Sequence, residues 1–243
     1  MRPALALIAA ALALGLAPAR ADRMALWRIV HGECVPAAEK GAALPPPCLQ
    51  VEGATAVIKD RNGIAQLLAI PTARVTGIED PALLRPDAPD YFADAWRERA
   101  LMAAYLPHMP ARADVGIAVN SEYARSQDQL HLHVDCLKPE VVAAVAAYAP
   151  HFDGQWRPMT TALDGRRYWA RRVDSADLAG VSPFLLLGEE MPKAKGEMGS
   201  WSLAALPVDF AGRPGFALLA DHAELAAGGH AEDLQDHDCA VAR

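Results

Sequence analysis

The chain has 243 residues, 52% of them hydrophobic and 22% charged, enough apolar surface for a sizeable core, which excludes an intrinsically disordered protein. With 23 Lys and Arg against 30 Asp and Glu, the formal charge is −7. That balance argues against general nucleic-acid binding, where counterion release rewards clustered cations.

Residues 1–21 read as a targeting segment. Arg2 supplies a positive start, Ala4 to Leu16 carry no charge, and Ala19-Arg20-Ala21 offers a small-x-small cleavage pattern. The apolar run is shorter than the roughly 20 residues of a spanning helix. A cleaved signal is therefore the first reading and a retained, tilted anchor the second. Residues 22–243 are the working part, read as one domain with a subdivision near residue 150 left open. Without Arg2 and Arg20 this part keeps 21 basic against 30 acidic residues, a net charge of −9.

Arg23 to Val35 predicts a short helix leading into a cysteine loop. The four cysteines are Cys34, Cys48, Cys136 and Cys239. An even number in an exported chain, none in a CxxC spacing, favours disulfides over zinc or redox chemistry. Three pairings exist. The local one closes Cys34 on Cys48 around Pro45-Pro46-Pro47 and leaves Cys136 for Cys239; four buried free thiols are the alternative.

Thr55 to Lys59 predicts a strand, Asp60-Arg61-Asn62-Gly63 a hairpin turn because Asn-Gly accepts positive φ, and Ile64 to Ile70 the returning strand, ended by Pro71. Asp80 to Pro89 reads as a loop. Asp90 is placed to cap a helix from Tyr91 to about Leu106. Val115–Val119 and Leu130–Leu137 predict two strands around the polar loop Asn120 to Ser126, and Pro139 starts an Ala/Val-rich helix to Tyr148. The second half predicts strands at Tyr168–Val173, Phe184–Leu187, Ser200–Leu206 and Phe216–Ala220, with a turn at Gly212-Arg213-Pro214-Gly215. The whole is an α+β pattern with a largely antiparallel sheet, flanking helices and a second strand-rich half packed against it.

The sharpest chemical feature is Gln129-Leu130-His131-Leu132-His133-Val134-Asp135-Cys136. On a strand, Gln129, His131, His133 and Asp135 share one face while Leu130, Leu132 and Val134 enter the core. Two imidazoles on one face suit either a histidine nucleophile attacking phosphorus or a pair of metal ligands. Alone, His-x-His is equally compatible with ordinary hydrogen-bonded histidines.

This strand and its surroundings resemble the histidine-triad superfamily, and within it the bacterial CDP-diacylglycerol pyrophosphatase family. The resemblance runs through Glu33-Cys34, Val57-Ile58-Lys59-Asp60 with Asn62-Gly63, Ala69-Ile70-Pro71-Thr72, Ala118-Val119-Asn120-Ser121, and the histidine strand to Cys136. It continues through Ala170-Arg171-Arg172-Val173, Ser182-Pro183-Phe184, Met198-Gly199-Ser200 and Asp236-His237-x-Cys239. It implies a histidine-triad-like antiparallel sheet on which His131 attacks the cytidylyl phosphorus of CDP-diacylglycerol. Phosphatidate leaves, and water hydrolyses the CMP-histidine. His133, Asn120 and nearby N–H groups would stabilise developing charge, with Ser121 also at the substrate; no metal or other cofactor enters this scheme. Lys59, on the first hairpin strand beside the turn, reads either as facing the diphosphate or as a solvated lysine. Gln129 stands where the family's first triad histidine is expected, and a glutamine still donates and accepts hydrogen bonds. Sliding the motif by two makes His133 the nucleophile and puts Asp135 in third place.

The resemblance further implies an exported protein, periplasmic or anchored to the inner membrane, meeting its lipid at the membrane surface without an obligate protein partner. Arg166, Arg167, Arg171 and Arg172 read as a lipid-phosphate contact or as a solvated strand face. Trp156, Trp169 and Trp201 read as core before acyl groove, and His222, His230 and His237 as solvent-facing or structural. A CMP transferase using another acceptor, and a periplasmic metal- or lipid-binding module built on His131 and His133, are the competing functions.

Overall fold

The period-two runs of the sequence become the strands of one antiparallel sheet. A computed structural model describes residues 22–223 and 228–243, so the targeting segment expected over 1–21 lies outside the described residues. The strands are β1 (Cys48–Glu52), β2 (Thr55–Lys59), β3 (Leu67–Pro71), β4 (Val115–Val119), β5 (Leu132–Cys136), β6 (Arg157–Pro158), β7 (Trp169–Val173), β8 (Trp201–Asp209) and β9 (Pro214–His222). They lie in the order β1-β2-β3-β5-β4-β8-β9-β7-β6, and every pairing is antiparallel. Because β4 pairs with β8, the sheet runs unbroken from the first half of the chain into the second. The fold is of the α+β type, as expected.

One face of the sheet carries the main core. Leu67, Ile117, Leu132, Val134, Leu203 and Leu218 meet Phe92, Ala95 and Trp96 of helix α3 (Tyr91–Glu98) and Phe184 and Leu187 of helix α5 (Pro183–Glu190). The other face is covered in two separate places. At one, Val141 and Val145 of helix α4 (Pro139–Tyr148) cover Ala118, Leu206 and Leu219. At the other, a helical run from Ala25 to Glu39 lays Val30 and Cys34 on Ala56, Ile58, Leu68 and Ile70. This run comprises α1 (Ala25–Ile29), a π-wound turn (Val30–Cys34) and α2 (Val35–Glu39). Pro36 lacks an N–H and crowds the carbonyl one turn back, which accounts for the loosened turn before it. His133 pairs with Leu68 on one side and Ala118 on the other. It therefore sits in the gap between the two covers.

Several elements differ from expectation. Phe184–Leu187 is helix, not strand: Ser182 caps it, its Oγ accepting from Leu185 N at 3.3 Å, and Pro183 occupies the first turn. A Ser-Pro start outweighs a short apolar run, because that run alone fits either state. The expected cap Asp90 makes no side-chain bond to its own helix; it accepts from Gly180 N instead. That helix ends at Glu98 and tightens to a 3₁₀ turn over Arg99–Ala104. The Asn62-Gly63 turn has positive φ at Gly63, but its returning strand starts only at Leu67, since Ile64 N is bound by His237 O. Strand β5 begins at Leu132 because Leu130 N pairs with the loop carbonyl of Val75. Strands β1 and β6 went unread.

Cys34 is bonded to Cys48 and Cys136 to Cys239, leaving no free cysteine. Two disulfides fit an oxidising compartment outside the cytosol, and hence an exported protein. Among the described residues no helix is long and apolar enough to cross a membrane. The Cys34–Cys48 bridge closes a loop with a sequence separation of 14. The double substitution Cys34→Ser/Cys48→Ser should lower the unfolding free energy by about 3 kcal/mol, read as a shifted urea midpoint. Thiol titration of the denatured, unreduced wild type should find no free thiol.

Candidate active site

Strand β5 alternates as its sequence requires. Leu130, Leu132 and Val134 join the main core, which turns His131 and His133 to the opposite face, where both line one cavity. The rings meet edge to face, 4.9 Å between centroids, and are only 8% and 5% exposed. His131 Nδ1 lies 2.7 Å from the carbonyl oxygen of Gln129. A carbonyl only accepts, so Nδ1 carries the proton and Nε2 keeps its lone pair. Burial, with the neighbouring His133 adding to it, lowers the pKa of His131 to about 4. At neutral pH this imidazole is uncharged, in the right tautomer to act as a nucleophile through Nε2.

His133 is held by a carboxylate. Its Nδ1 lies 3.1 Å from Glu232 Oε1 and 3.3 Å from Gln66 Nε2. Gln66 Nε2 also donates to Glu232 Oε1 at 3.1 Å, and Asn120 Nδ2 donates to Glu232 Oε2 at 2.9 Å. The Glu232 backbone N–H returns a bond to Asn120 Oδ1 at 3.2 Å. Burial works to raise the Glu232 carboxyl but is outweighed by the bonds from His133, Gln66 and Asn120, which hold it far below its ordinary value. Glu232 Oε1 calls for a proton on His133 Nδ1 and Gln66 Nε2 for a lone pair there; the ionised carboxylate outweighs the neutral amide, which puts the proton on Nδ1. Its Nε2 is buried without a partner.

The C-terminal segment brings a further pair. Asp135, fully buried, accepts from His237 Nδ1 at 2.8 Å, and His237 Nε2 lies 3.5 Å from Glu232 Oε1. Burial pushes the Asp135 carboxyl up, and the bond to Asp135 raises His237. Gln235 Nε2 donates to the carbonyls of His133 and Gly116 at 3.0 and 3.1 Å. The Cys136–Cys239 bridge fastens this segment one residue from Asp135 and two from His237.

The cavity measures about 800 Å³. Its lining combines polar groups, the two histidines, Glu232, Asn120, Lys59 and Arg125, with an apolar wall of Leu26, Ile29, Pro46, Leu49, Ile58 and Leu68. Lys59 Nζ donates to the carbonyls of Asp60 and Gly63 at 2.6 and 3.0 Å and stands 5.5 Å from the centre of the Tyr105 ring. Burial lowers its pKa, against opposing attraction from Asp60 and Asp135. Arg125 is forked onto Glu79 at 2.5 and 2.7 Å. The apolar wall is docked by Arg23 on Asp128, at 2.6 Å, and by Leu26 N on Gln127 Oε1 at 3.2 Å.

Of the expected site residues, His131, His133, Asn120 and Lys59 thus share one cavity, and Gln129 and Ser121 are not in its lining. Gln129 donates to the carbonyls of Pro71 and Ala73 at 3.1 and 2.9 Å and accepts from Arg74 at 3.0 Å. It braces the residue whose carbonyl holds His131. Ser121 is fully buried against Gly229. The arginine cluster is also elsewhere: Arg166 pairs with Asp221 and Asp233, Arg171 with Glu190, and Arg172 with Asp174. Trp156 and Trp201 lie in the main core, with Trp169 packed on it. His222 packs on Trp201. Among the described residues, no group of three or more His, Cys, Asp and Glu side chains is placed to hold a metal ion.

Glu232, Gln66 and His237 escaped the sequence reading as site residues. Glu232 carries no motif and looks like part of a solvated acidic tail. The signal was indirect: once Cys136 is joined to Cys239, the neighbouring Asp135 and His237 are brought together.

The family model for CDP-diacylglycerol pyrophosphatase matches residues 21–243. A Yersinia pestis protein named CDP-diacylglycerol pyrophosphatase is 44% identical over 243 residues, covering 98% of this chain and 91% of that protein.

The depressed pKa has a direct readout. By NMR of histidine-labelled protein, His131 should titrate with a midpoint near 4 and remain neutral as the pH falls from 7 to about 5. A midpoint near the ordinary 6.5 would contradict the buried, backbone-bonded geometry.

Proposed function

The chain belongs to the CDP-diacylglycerol pyrophosphatase family, and on that premise we propose that it hydrolyses CDP-diacylglycerol to CMP and phosphatidate through a nucleotidyl-histidine on His131. The observation that carries this reading is the bond from His131 Nδ1 to the Gln129 carbonyl, which fixes the tautomer with Nε2 as nucleophile.

In the first step His131 Nε2 bonds to the cytidylyl phosphorus, and the bond from that phosphorus to the bridging oxygen breaks. Phosphatidate leaves with the electron pair. In the second step water attacks the same phosphorus, the N–P bond breaks, and its electrons return to Nε2 as CMP is released. Splitting one displacement into two is the advantage of a covalent nucleophile. Lys59 supplies positive charge among the polar groups, and the His133 ring nitrogen left without a partner faces the phosphoryl group. Gln129 acts through the backbone it braces, and Asn120 through Glu232.

The alternating histidines on a central antiparallel strand, with β3 and β4 on either side, support the histidine-triad-like reading of the fold. We read residues 22–243 as one catalytic domain, because β4 and β8 join the halves of the sheet. The apolar part of the lining supports a lipid-linked substrate: Leu26, Ile29, Leu49, Ile58 and Leu68 offer the glyceride a dry wall, where each buried methylene contributes about 0.8 kcal/mol. Asp22 and Ala25 line the same cavity. A retained apolar segment before them would set the membrane beside the site, in the periplasm.

Two experiments test the proposal. Base-quenched mass spectrometry after mixing with CDP-diacylglycerol should find CMP on the peptide containing His131, and none in His131→Ala, whose turnover should fall on the order of 10³-fold or more. An adduct that survives in that variant, or maps to His133, overturns the assignment. For the lipid wall, Leu26→Asp should raise KM for a short-chain CDP-diacylglycerol about tenfold while leaving inhibition by CMP unchanged. A parallel rise in the CMP inhibition constant would place Leu26 elsewhere.

A further inference from the structure

Glu232 has no place in a mechanism built only on the two strand histidines, yet His133, Gln66 and Asn120 all converge on its carboxylate. Every donor that reaches its carboxylate belongs to the site: His133 and Gln66 on Oε1, Asn120 on Oε2. His237 stands behind, 3.5 Å from Oε1 and fixed in turn by Asp135. An imidazole whose Nδ1 meets a carboxylate while its Nε2 is left without a protein partner, as in His133, is the arrangement by which a histidine becomes a proton-transfer group.

We propose that Glu232 is the positioning residue that makes His133 the general base for the second half of the reaction. This rests on the nucleotidyl-histidine reading above and adds the group that activates water. As the water oxygen bonds to phosphorus and the N–P bond to His131 breaks, one water proton passes to His133 Nε2. The resulting imidazolium keeps its Nδ1–H on Glu232, whose negative charge offsets the new positive one. The proton then leaves to solvent as CMP departs. The first half needs no such base, because His131 is already neutral and phosphatidate leaves as an anion.

The C-terminal segment is therefore part of the active site. The 3₁₀ turn Ala231–Leu234 carries Glu232, Gln235 binds the backbone of His133 itself, and the Cys136–Cys239 bridge fastens the segment to the end of β5. The titratable and charged groups around His133 are His131 and Asp135 on its own strand, Glu232 and His237 from the tail, and Lys59 and Arg125 from the other walls.

Rapid-quench kinetics on the full chain separates the two halves. In Glu232→Gln, which keeps the size and an acceptor oxygen but not the charge, adduct formation on His131 should stay within about threefold of wild type. Adduct hydrolysis should slow by about 10²-fold, so that CMP-enzyme accumulates, and Glu232→Asp should recover part of the loss. In a His133→Ala background the further substitution Glu232→Gln should change hydrolysis less than twofold, since the two residues act as one unit. Equal slowing of both halves, wild-type hydrolysis in Glu232→Gln, or an undiminished effect without His133 each overturns the proposal. A second measurement does not depend on the variants folding: nitrogen-15 NMR of wild type should find His133 protonated at Nδ1 and bare at Nε2, and the opposite tautomer refutes the assignment. If wild type forms no adduct on His131, the nucleotidyl-histidine reading fails and this proposal falls with it. If the adduct forms and only Glu232 proves indifferent, the reading stands without it.

Discussion

A central strand spends its backbone hydrogen bonds on its neighbours, and β5, between β3 and β4, can offer chemistry only through side chains on one face. Its other face is committed to the core by Leu132 and Val134. The period of two then sets the positions available to functional groups, two residues apart on a rigid rail. His131 stands just before that rail, where the backbone has left the ladder and Gln129 can spare its carbonyl for His131 Nδ1. His133 stands on the rail, where Leu68 and Ala118 flank it in register. One residue of slip would send both imidazoles into the core and two leucines into the cavity. The register of a single strand is thus the condition on which the proposed nucleophile, its tautomer and its partner all depend.

The strand provides one wall only, and the ends of the described chain provide much of the rest. The helical run after residue 22 is clamped by Cys34–Cys48 and contributes the apolar side; the C-terminal segment is clamped by Cys136–Cys239 and contributes Glu232. Such segments are where order is cheapest to lose. A covalent tie restricts the unfolded chain more than it alters the folded one, and here each tie lies beside a wall that must not move relative to the histidines. Both bridges can therefore be read as part of the site's rigidity as well as of the fold's stability.

Much of this was legible in the sequence where local rules decide. Strands β2 and β4 fall on Thr55–Lys59 and Val115–Val119 because alternation and flanking turn residues leave little choice. The inward and outward faces of β5 follow from the same rule. Reading failed where tertiary partners decide. The apolar run Phe184–Leu187 fits strand or helix alone, and Ser182 settles it by capping. Asp90 has the composition of a helix cap, but Gly180 takes its side chain. Glu232 is the instructive miss, since neither charge nor spacing distinguishes a carboxylate that will fold onto a histidine about a hundred positions away from one that stays in water.

Charge placement reconciles an acidic chain with an anionic diphosphate substrate. The excess negative charge of residues 22–243 does not attract such a ligand, so the polar groups of the lining must be arranged locally. Arg125 is already neutralised by Glu79 and Asp128, and Lys59 spends hydrogen bonds on backbone carbonyls, which are dipoles and leave its charge uncancelled. A buried carboxylate beside the phosphoryl site would repel it, but the lone pairs of Glu232 are directed to Gln66, Asn120 and His133. Its negative charge is thereby spread into protein donors and held against the His133 ring. The neutral state of His131 follows the same logic: a cationic imidazole would bind the diphosphate more strongly but would have no lone pair with which to attack it. Burial sacrifices that attraction for nucleophilicity, which leaves Lys59 and Arg61 of the cavity lining as the charges proposed to draw the substrate in.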